Sequence, residues 1–72
     1  AVFNATLNDR TLSFEKINND INVNTVTIKV NDNDIDIIEV TSEMDSFNYE
    51  IQDENFDYGI NYITVIFNLF LL

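Results

Sequence analysis

The sequence predicts an all-β fold, a small antiparallel β-sandwich of about six strands in which residues 1–72 form one domain. Short runs of alternating apolar and polar residues recur along the chain, as in strands that bury one face. Clusters of Asn and Asp separate these runs at regular intervals. Such residues favour turns, because their side chains bond nearby backbone and tolerate positive φ. With one Gly and no Pro, Asn and Asp must supply nearly all the turn chemistry.

The first three runs are the more regular half of the chain. They are expected to place these apolar side chains on one face: Phe3, Ala5 and Leu7 in run 2–7, Leu12 and Phe14 in run 11–17, and Val26, Ile28 and Val30 in run 22–30. Turn clusters at residues 8–10, 18–20 and 31–34 end the three runs. Each run therefore predicts a strand with one buried face.

The next two runs are less clear. Residues 35–41 are rich in β-branched side chains, but their alternation slips at Ile37-Ile38, which indicates a β-bulge. Residues 46–52 alternate regularly between apolar and polar side chains. A helix competes with these strands, since five apolar residues recur three or four positions apart, namely Ile37, Val40, Met44, Phe47 and Ile51. Strand is the preferred interpretation, and a helix would turn the fold into α+β.

The last run, residues 59–72, is apolar on both faces from Ile66 onward. A strand of this kind is normally covered on both faces, and a small acidic domain has little material to cover it. The side chains expected in the domain's own core are Ile63, Val65, Phe67, Leu69 and Leu71. Those expected to face a partner are Ile66, Phe70 and Leu72. The sequence therefore predicts that this strand docks against another protein.

Composition excludes several classes of function. The net charge is −10, with three Lys or Arg residues, which argues against nucleic acid and anionic membrane surfaces. No membrane insertion is expected, because the apolar end is shorter than the roughly 20 residues of a spanning helix. The chain has no His or Cys, so the usual catalytic bases and thiol nucleophiles are missing. We expect no enzymatic activity.

The run from Asn31 to Asp36 has oxygen ligands at alternate positions, Asp32, Asp34 and Asp36, which suits a hard cation such as Ca²⁺. It loosely resembles the calcium-binding strand-end motif of cadherins and the acidic turn of Calx-β repeats. The proline that follows the cadherin motif is absent, and the Gly and Glu of an EF-hand loop are also missing. A solvated acidic turn is the competing interpretation. Beyond this predicted calcium ion, no cofactor is expected.

Aromatic residues near the end of the chain offer a second kind of site. Phe56, Tyr58 and Tyr62, with Tyr49, are candidates for a platform that stacks on sugars, as in carbohydrate-binding modules. The alternative is that Tyr49 belongs to the core and the loop aromatics pack over the open end of the sandwich.

The segment Gly59-Ile60-Asn61-Tyr62-Ile63-Thr64-Val65 resembles the G-x-N-x-hydrophobic-T-V segment that enters a late strand in immunoglobulin-like modules of phage virions and bacterial surface proteins. The resemblance implies an immunoglobulin-like sandwich with a structural role. We therefore expect a non-catalytic module of a virion (tail, baseplate or capsid) or of a cell surface, which contacts protein subunits or further copies of itself. A carbohydrate-binding or adhesion module is the alternative. An acidic inhibitor fits the charge but has no motif in support.

Overall fold

The computed structural model describes residues 2–18 and 22–69 and contains six strands in these ranges. They are β1 (Val2–Asn8), β2 (Thr11–Asn18), β3 (Val23–Val30), β4 (Asn33–Glu39), β5 (Ser46–Glu50) and β6 (Ile63–Leu69). A single turn of 3-10 helix, Asp53–Asn55, lies between β5 and β6. The predicted all-β class is confirmed. The helical alternative for residues 37–51 is wrong, since these residues form the end of β4, a turn and β5.

The strands form two antiparallel sheets of three strands each, in the orders β1-β2-β5 and β4-β3-β6. Their inward-facing side chains make one core between the sheets, in which Val26 and Ile28 are fully buried and Phe14 is 1% exposed. Phe14 stacks on Phe47 with ring centroids 4.5 Å apart and meets Phe67 of the opposite sheet edge-on at 6.2 Å. The architecture is a small β-sandwich, as the alternation predicted.

Asn and Asp make the tight turns, as expected. Asn31 and Asp32 connect β3 to β4 with φ angles of 51° and 67°, the conformation of a type I′ hairpin turn. Asp9 begins the two-residue turn between β1 and β2 with a φ of 56°. Gly59 has a φ of 90°, which explains why the one glycine of the chain lies there. Of the turn cluster at 18–20, residues 19 and 20 lie outside the described ranges.

A β-bulge is present in β4, but it lies at Ile35 and not at the predicted Ile37-Ile38. The register of the β3–β4 pair changes there, since Lys29 faces Asp34 while Ile28 faces Asp36. Ile35 is the extra residue of β4, and its side chain packs against the core, where it is half-buried. The sequence slip at Ile37-Ile38 therefore indicated the bulge of β4 but placed it two residues too far along the strand.

Candidate functional site: the open side of the sandwich

One lateral side of the sandwich, bounded by β4 and β5, is closed. The chain crosses from one sheet to the other here through residues 40–45, and the Val40 N–H donates to the Asn24 carbonyl at 3.0 Å. The Lys16 ammonium donates to the Ser42 carbonyl and to Asp45 Oδ1, both at 3.1 Å. Lys16 is only 13% exposed, so its charge is held against this connection. We call this side the closed side.

Tyr49 and Asp36 join the two sheets on the closed side. Tyr49 pairs with the buried Leu12 and so faces inward, while Asp36 pairs with the buried Ile28 across β4 and β3. Burial raises the pKa of the Tyr49 hydroxyl, and the charge of Asp36 and its hydrogen bond with that hydroxyl raise the pKa further. Tyr49 therefore belongs to the half-buried interior, as the core alternative predicted.

The opposite lateral side is bounded by β1 and β6. Asp36 of β4 bonds to Tyr49 of β5, and residues 40–45 join the same two strands, so β4 and β5 lie on one side of the sandwich. The two strand orders then place the edges of β1 and β6 together on the other side of the core. Phe14 of the central strand β2 contacts Phe67 of β6, so the two sheets face each other here. In the described ranges, β1 pairs only with β2 and β6 only with β3. We call this side the open side.

The four edge strands differ in the features that discourage further strand pairing. β4 carries Asp34, Asp36, Glu39 and the bulge, while β5 has five residues and ends at Glu50. Charges, bulges and short length are the usual protections of a sheet edge. β1 and β6 have seven residues each and no charged side chain. At both edges the register shift comes from an extra residue of the partner strand, Ile17 of β2 beside β1 and Asn24 of β3 beside β6. β1 and β6 are therefore the less protected edges, and both lie on the open side.

The hydrogen-bond pattern identifies which backbone groups of β6 face outward. The Asn31 N–H donates to the Tyr62 carbonyl at 2.8 Å, so this opposed pair is a hydrogen-bonded one. Bonded and non-bonded pairs alternate along an antiparallel ladder. Thr64, Ile66 and Asn68 therefore bond to β3, and the N–H and C=O groups of the remaining strand residues point to the free edge. Those residues are Ile63, Val65 and Phe67.

The side chains of the open side are only partly covered. Leu7 and Leu69 are on the inner faces of β1 and β6, yet they are 49% and 51% exposed, whereas Val26 and Ile28 on the central β3 are fully buried. Ile63, Val65 and Phe67 pack against the core and are half-buried, as predicted. The expectation that Leu69 fills the core is wrong, because no described strand lies beside it on this side.

The predicted partner-binding residues can be followed in part. Ile66 lies on the outer face of β6, where it is 38% exposed and is aligned through Thr27 with Ile37, which is 59% exposed. Phe70 and Leu72 lie outside the described residues. The outer face next to Ile66 is not wholly apolar, since Asn68 Nδ2 donates to the hydroxyls of Thr25 and Thr27 at 3.0 Å. Ile66 is thus available at the surface, as expected.

The loop from residue 51 to residue 62 links the two hairpin turns at one end of the sandwich. Asp53 forms an ion pair with Arg10 of the β1–β2 turn. Asn31 Nδ2 donates to Asn61 Oδ1 at 2.8 Å, and the Tyr62 N–H donates to Asn31 Oδ1 at 2.9 Å. Asn61 also accepts the Asp57 N–H at 2.8 Å and donates to two loop carbonyls. The two asparagines therefore fix the point at which β6 begins.

The three aromatic residues predicted to bind sugars have different environments. Phe56 is half-buried against the core, so only part of its ring is available. Tyr58 is fully exposed, and Tyr62 is 71% exposed. Phe56, Asp57 and Tyr58 line a shallow depression. Phe56 thus covers the end of the sandwich, as the alternative interpretation predicted, while Tyr58 and Tyr62 face solvent.

The structure does not bring the predicted calcium ligands together. Asp32 is in the hairpin turn, Asp34 lies 3.4 Å from the Lys29 ammonium, and Asp36 accepts the Ile37 N–H at 2.8 Å. The bulge at Ile35 moves Asp34 and Asp36 to opposite faces of β4, because Asp34 pairs with Lys29 and Asp36 with Ile28. Within residues 2–18 and 22–69, no group of three or more acidic side chains could hold a metal ion. Calcium binding stays a prediction without support from this geometry.

Acidic residues greatly outnumber basic residues in this domain. Arg10, Lys16 and Lys29 are its three basic residues, and each forms an ion pair with an Asp of the same chain. The acidic side chains outnumber these basic residues, so the surface potential of the domain is negative. The domain should therefore repel a second copy and attract a basic partner, most strongly at low ionic strength.

No protein-family model, curated protein or solved structure matches this chain. In the part of the chain that the structure describes, no helix has the length and apolarity to cross a membrane. The geometry of the site is therefore the basis for assigning a function.

Proposed function

We propose that this protein is a non-catalytic structural module, immunoglobulin-like in build, that docks through its C-terminal strand into a larger protein assembly. A virion component or a bacterial surface protein fits this role. The single observation that carries the proposal is the open side, where β6 is an uncharged edge strand with half-covered apolar side chains. Edges of this kind are templates for pairing with another chain.

The strand order supports the immunoglobulin-like part of the proposal. Immunoglobulin sandwiches have strands A, B and E adjacent in one sheet, and C′, C and F adjacent in the other. The orders β1-β2-β5 and β4-β3-β6 follow the same sequence of neighbours. In such sandwiches the strand that corresponds to β6 pairs with a further strand on its other side. The free edge of β6 is thus a position where a strand is accommodated in this architecture.

Self-association at high salt tests the proposal. Above roughly 0.5 M NaCl, where the screening length falls to a few ångströms, repulsion between the acidic chains is suppressed and contact through β6 is expected. Sedimentation velocity should show association of the wild-type chain, and Leu69→Asp, which places a charge on the half-exposed inner face of the open side, should weaken it. Asn48→Asp is the matched control, since it adds the same charge to an exposed position on the other sheet. A chain that stays strictly monomeric at every salt concentration argues against docking through β6.

Carbohydrate binding is the second candidate, and the exposure of Tyr58 and Tyr62 on a loop fixed by Asn31 and Asn61 favours it. Exposed aromatic rings on an ordered loop can stack on sugar rings. A glycan array should then give signals that Tyr58→Ala abolishes and Asn48→Ala leaves unchanged. An array without any signal removes this candidate.

A further inference from the structure

We propose that the free edge of β6 binds one extended, basic strand from a partner protein, which adds to the β4-β3-β6 sheet in the antiparallel direction. This inference rests on the proposed docking through β6, and it specifies the mode of docking and the chemistry of the partner. Two other modes are thereby set aside: contact through the outer face around Ile66, and pairing with a second copy of this chain.

The backbone of β6 determines the mode. Ile63, Val65 and Phe67 present three N–H and three C=O groups to the free edge, in a strand without charge and without an extra residue. An added strand can form a regular ladder with these groups, and antiparallel pairing continues the pattern of the sheet. The outer face is a poorer surface, since Asn68, Thr25 and Thr27 form a hydrogen-bonded polar cluster beside Ile66.

The side chains of the open side determine which residues the partner strand should have at the positions that face the sandwich interior. An added strand places alternate side chains toward the sandwich interior, beside Leu7, Phe67 and Leu69. Leu7 and Leu69 are about half exposed, so apolar side chains of the partner would gain contact with them. The intervening side chains point to the outer face and meet solvent. The partner strand should therefore alternate apolar and polar residues.

The negative charge of the domain determines which residues the partner strand should have at its polar positions. The chain carries a net charge of −10, and all three of its basic side chains are already in ion pairs. Asp9, Glu54 and Asp57 are exposed in the turn and loop at the end of the sandwich where β6 begins. A second copy would bring a further net charge of −10 to the same edge. A strand with Lys or Arg at its polar positions is attracted instead, so the basic partner is favoured over the homodimer.

A labelled peptide tests the inference. The probe is a capped seven-residue peptide of alternating Val and Lys, matched in length to β6. The controls are a Val–Glu peptide with the same alternation and a peptide with the same Val and Lys residues grouped in two blocks. Fluorescence anisotropy should show binding of the alternating Lys peptide alone. Its affinity should fall about tenfold between roughly 20 and 300 mM NaCl, because the attraction is screened.

Two variants of the protein locate the bound strand. Ile63→Pro removes an N–H that faces the free edge and is not used in the pairing with β3, at the first residue of the strand where Pro is tolerated. It should lower peptide affinity at least about tenfold. Leu7→Lys adds a positive charge at a half-exposed position of the open side and should do the same, even if Ile63→Pro fails to fold. Ile66→Asp, on the outer face, should not reduce binding.

The other outcomes overturn the inference. Equal binding of the Lys and Glu peptides, or binding unaffected by both Ile63→Pro and Leu7→Lys, rules out a basic strand at this edge. A wild-type dimer that persists at about 20 mM NaCl, where repulsion reaches furthest, assigns the edge to a second copy. Failure to bind any peptide, combined with high-salt association that Leu69→Asp weakens, removes the inference and leaves the proposed function. Failure of both measurements removes both.

Discussion

The two lateral sides of the sandwich contain different kinds of residue. On the closed side, β4 carries acids and a bulge, β5 is short, and the connection at 40–45 is held by Lys16. On the open side, β1 and β6 are uncharged, and Leu7 and Leu69 are half exposed. A domain protected equally on both sides would need no partner. The contrast shows that protection against strand pairing is confined to the side where the chain itself crosses.

The largest difference in stability loss between the centre of the core and the open side is expected from two phenylalanines that meet across the core, Phe14 and Phe67. Phe14 is 1% exposed, so Phe14→Ala should lower the free energy of unfolding by about 3–5 kcal/mol and leave the domain close to unfolding. Phe67 is half-buried at the open side, and Phe67→Ala should cost about half as much. Urea denaturation followed by circular dichroism measures both values. Equal costs would mean that the open side is as well covered as the centre.

The connection on the closed side gives a smaller effect. Lys16→Met removes the ammonium of a largely covered side chain, which donates to Ser42 and Asp45, and should cost about 1–2 kcal/mol. The matched control is Lys29→Met, because the Lys29–Asp34 pair is more exposed and should contribute about 0.5 kcal/mol or less. Thermal melting at one fixed pH compares the two variants. A smaller loss for Lys16→Met than for Lys29→Met would show that the connection does not depend on Lys16.

Features that depend on residues close together in the chain could be predicted from the sequence, whereas features that join distant residues could not. Alternation within single strands predicted six strands and the inward positions of Phe14, Val26 and Ile28, because that pattern is local. The turn at Asn31 and Asp32 was predictable for the same reason. The pairing of β6 as an edge strand and the contact of Asn31 with Asn61 were not, since they join residues about 30 positions apart. The G-x-N segment was the one sequence signal that included Asn61.

The calcium prediction shows the same limit in another way. Asp32, Asp34 and Asp36 alternate in the sequence, and in a regular strand Asp34 and Asp36 would share a face. The bulge at Ile35 separates Asp34 from Asp36, and its position depends on the pairing with β3. The slip at Ile37-Ile38 indicated an irregularity, but a single strand does not reveal which residue its partner leaves unpaired.

The smallest expected effect concerns the link between the sheets on the closed side. Tyr49→Phe removes the hydroxyl near Asp36 and should cost about 1 kcal/mol at neutral pH. The pKa of Tyr49 is raised in the folded state, so folding favours the protonated hydroxyl. This contribution is complete below the unfolded pKa of about 10 and is lost as the pH rises through the folded pKa. Wild type should therefore lose its advantage over Tyr49→Phe in alkaline solution, as melting curves at a series of pH values would show. A constant difference up to high pH would contradict the link.

Amide hydrogen exchange of β6 tests most directly the claim that its edge is free. In the isolated wild-type chain at neutral pH, the amides of Thr64, Ile66 and Asn68 should be protected by their bonds to β3, while those of Val65 and Phe67 should exchange at least about tenfold faster. Residue-resolved exchange by NMR measures this alternation. Uniform protection from Ile63 to Leu69 would show that the edge is already covered and would contradict docking of a strand there.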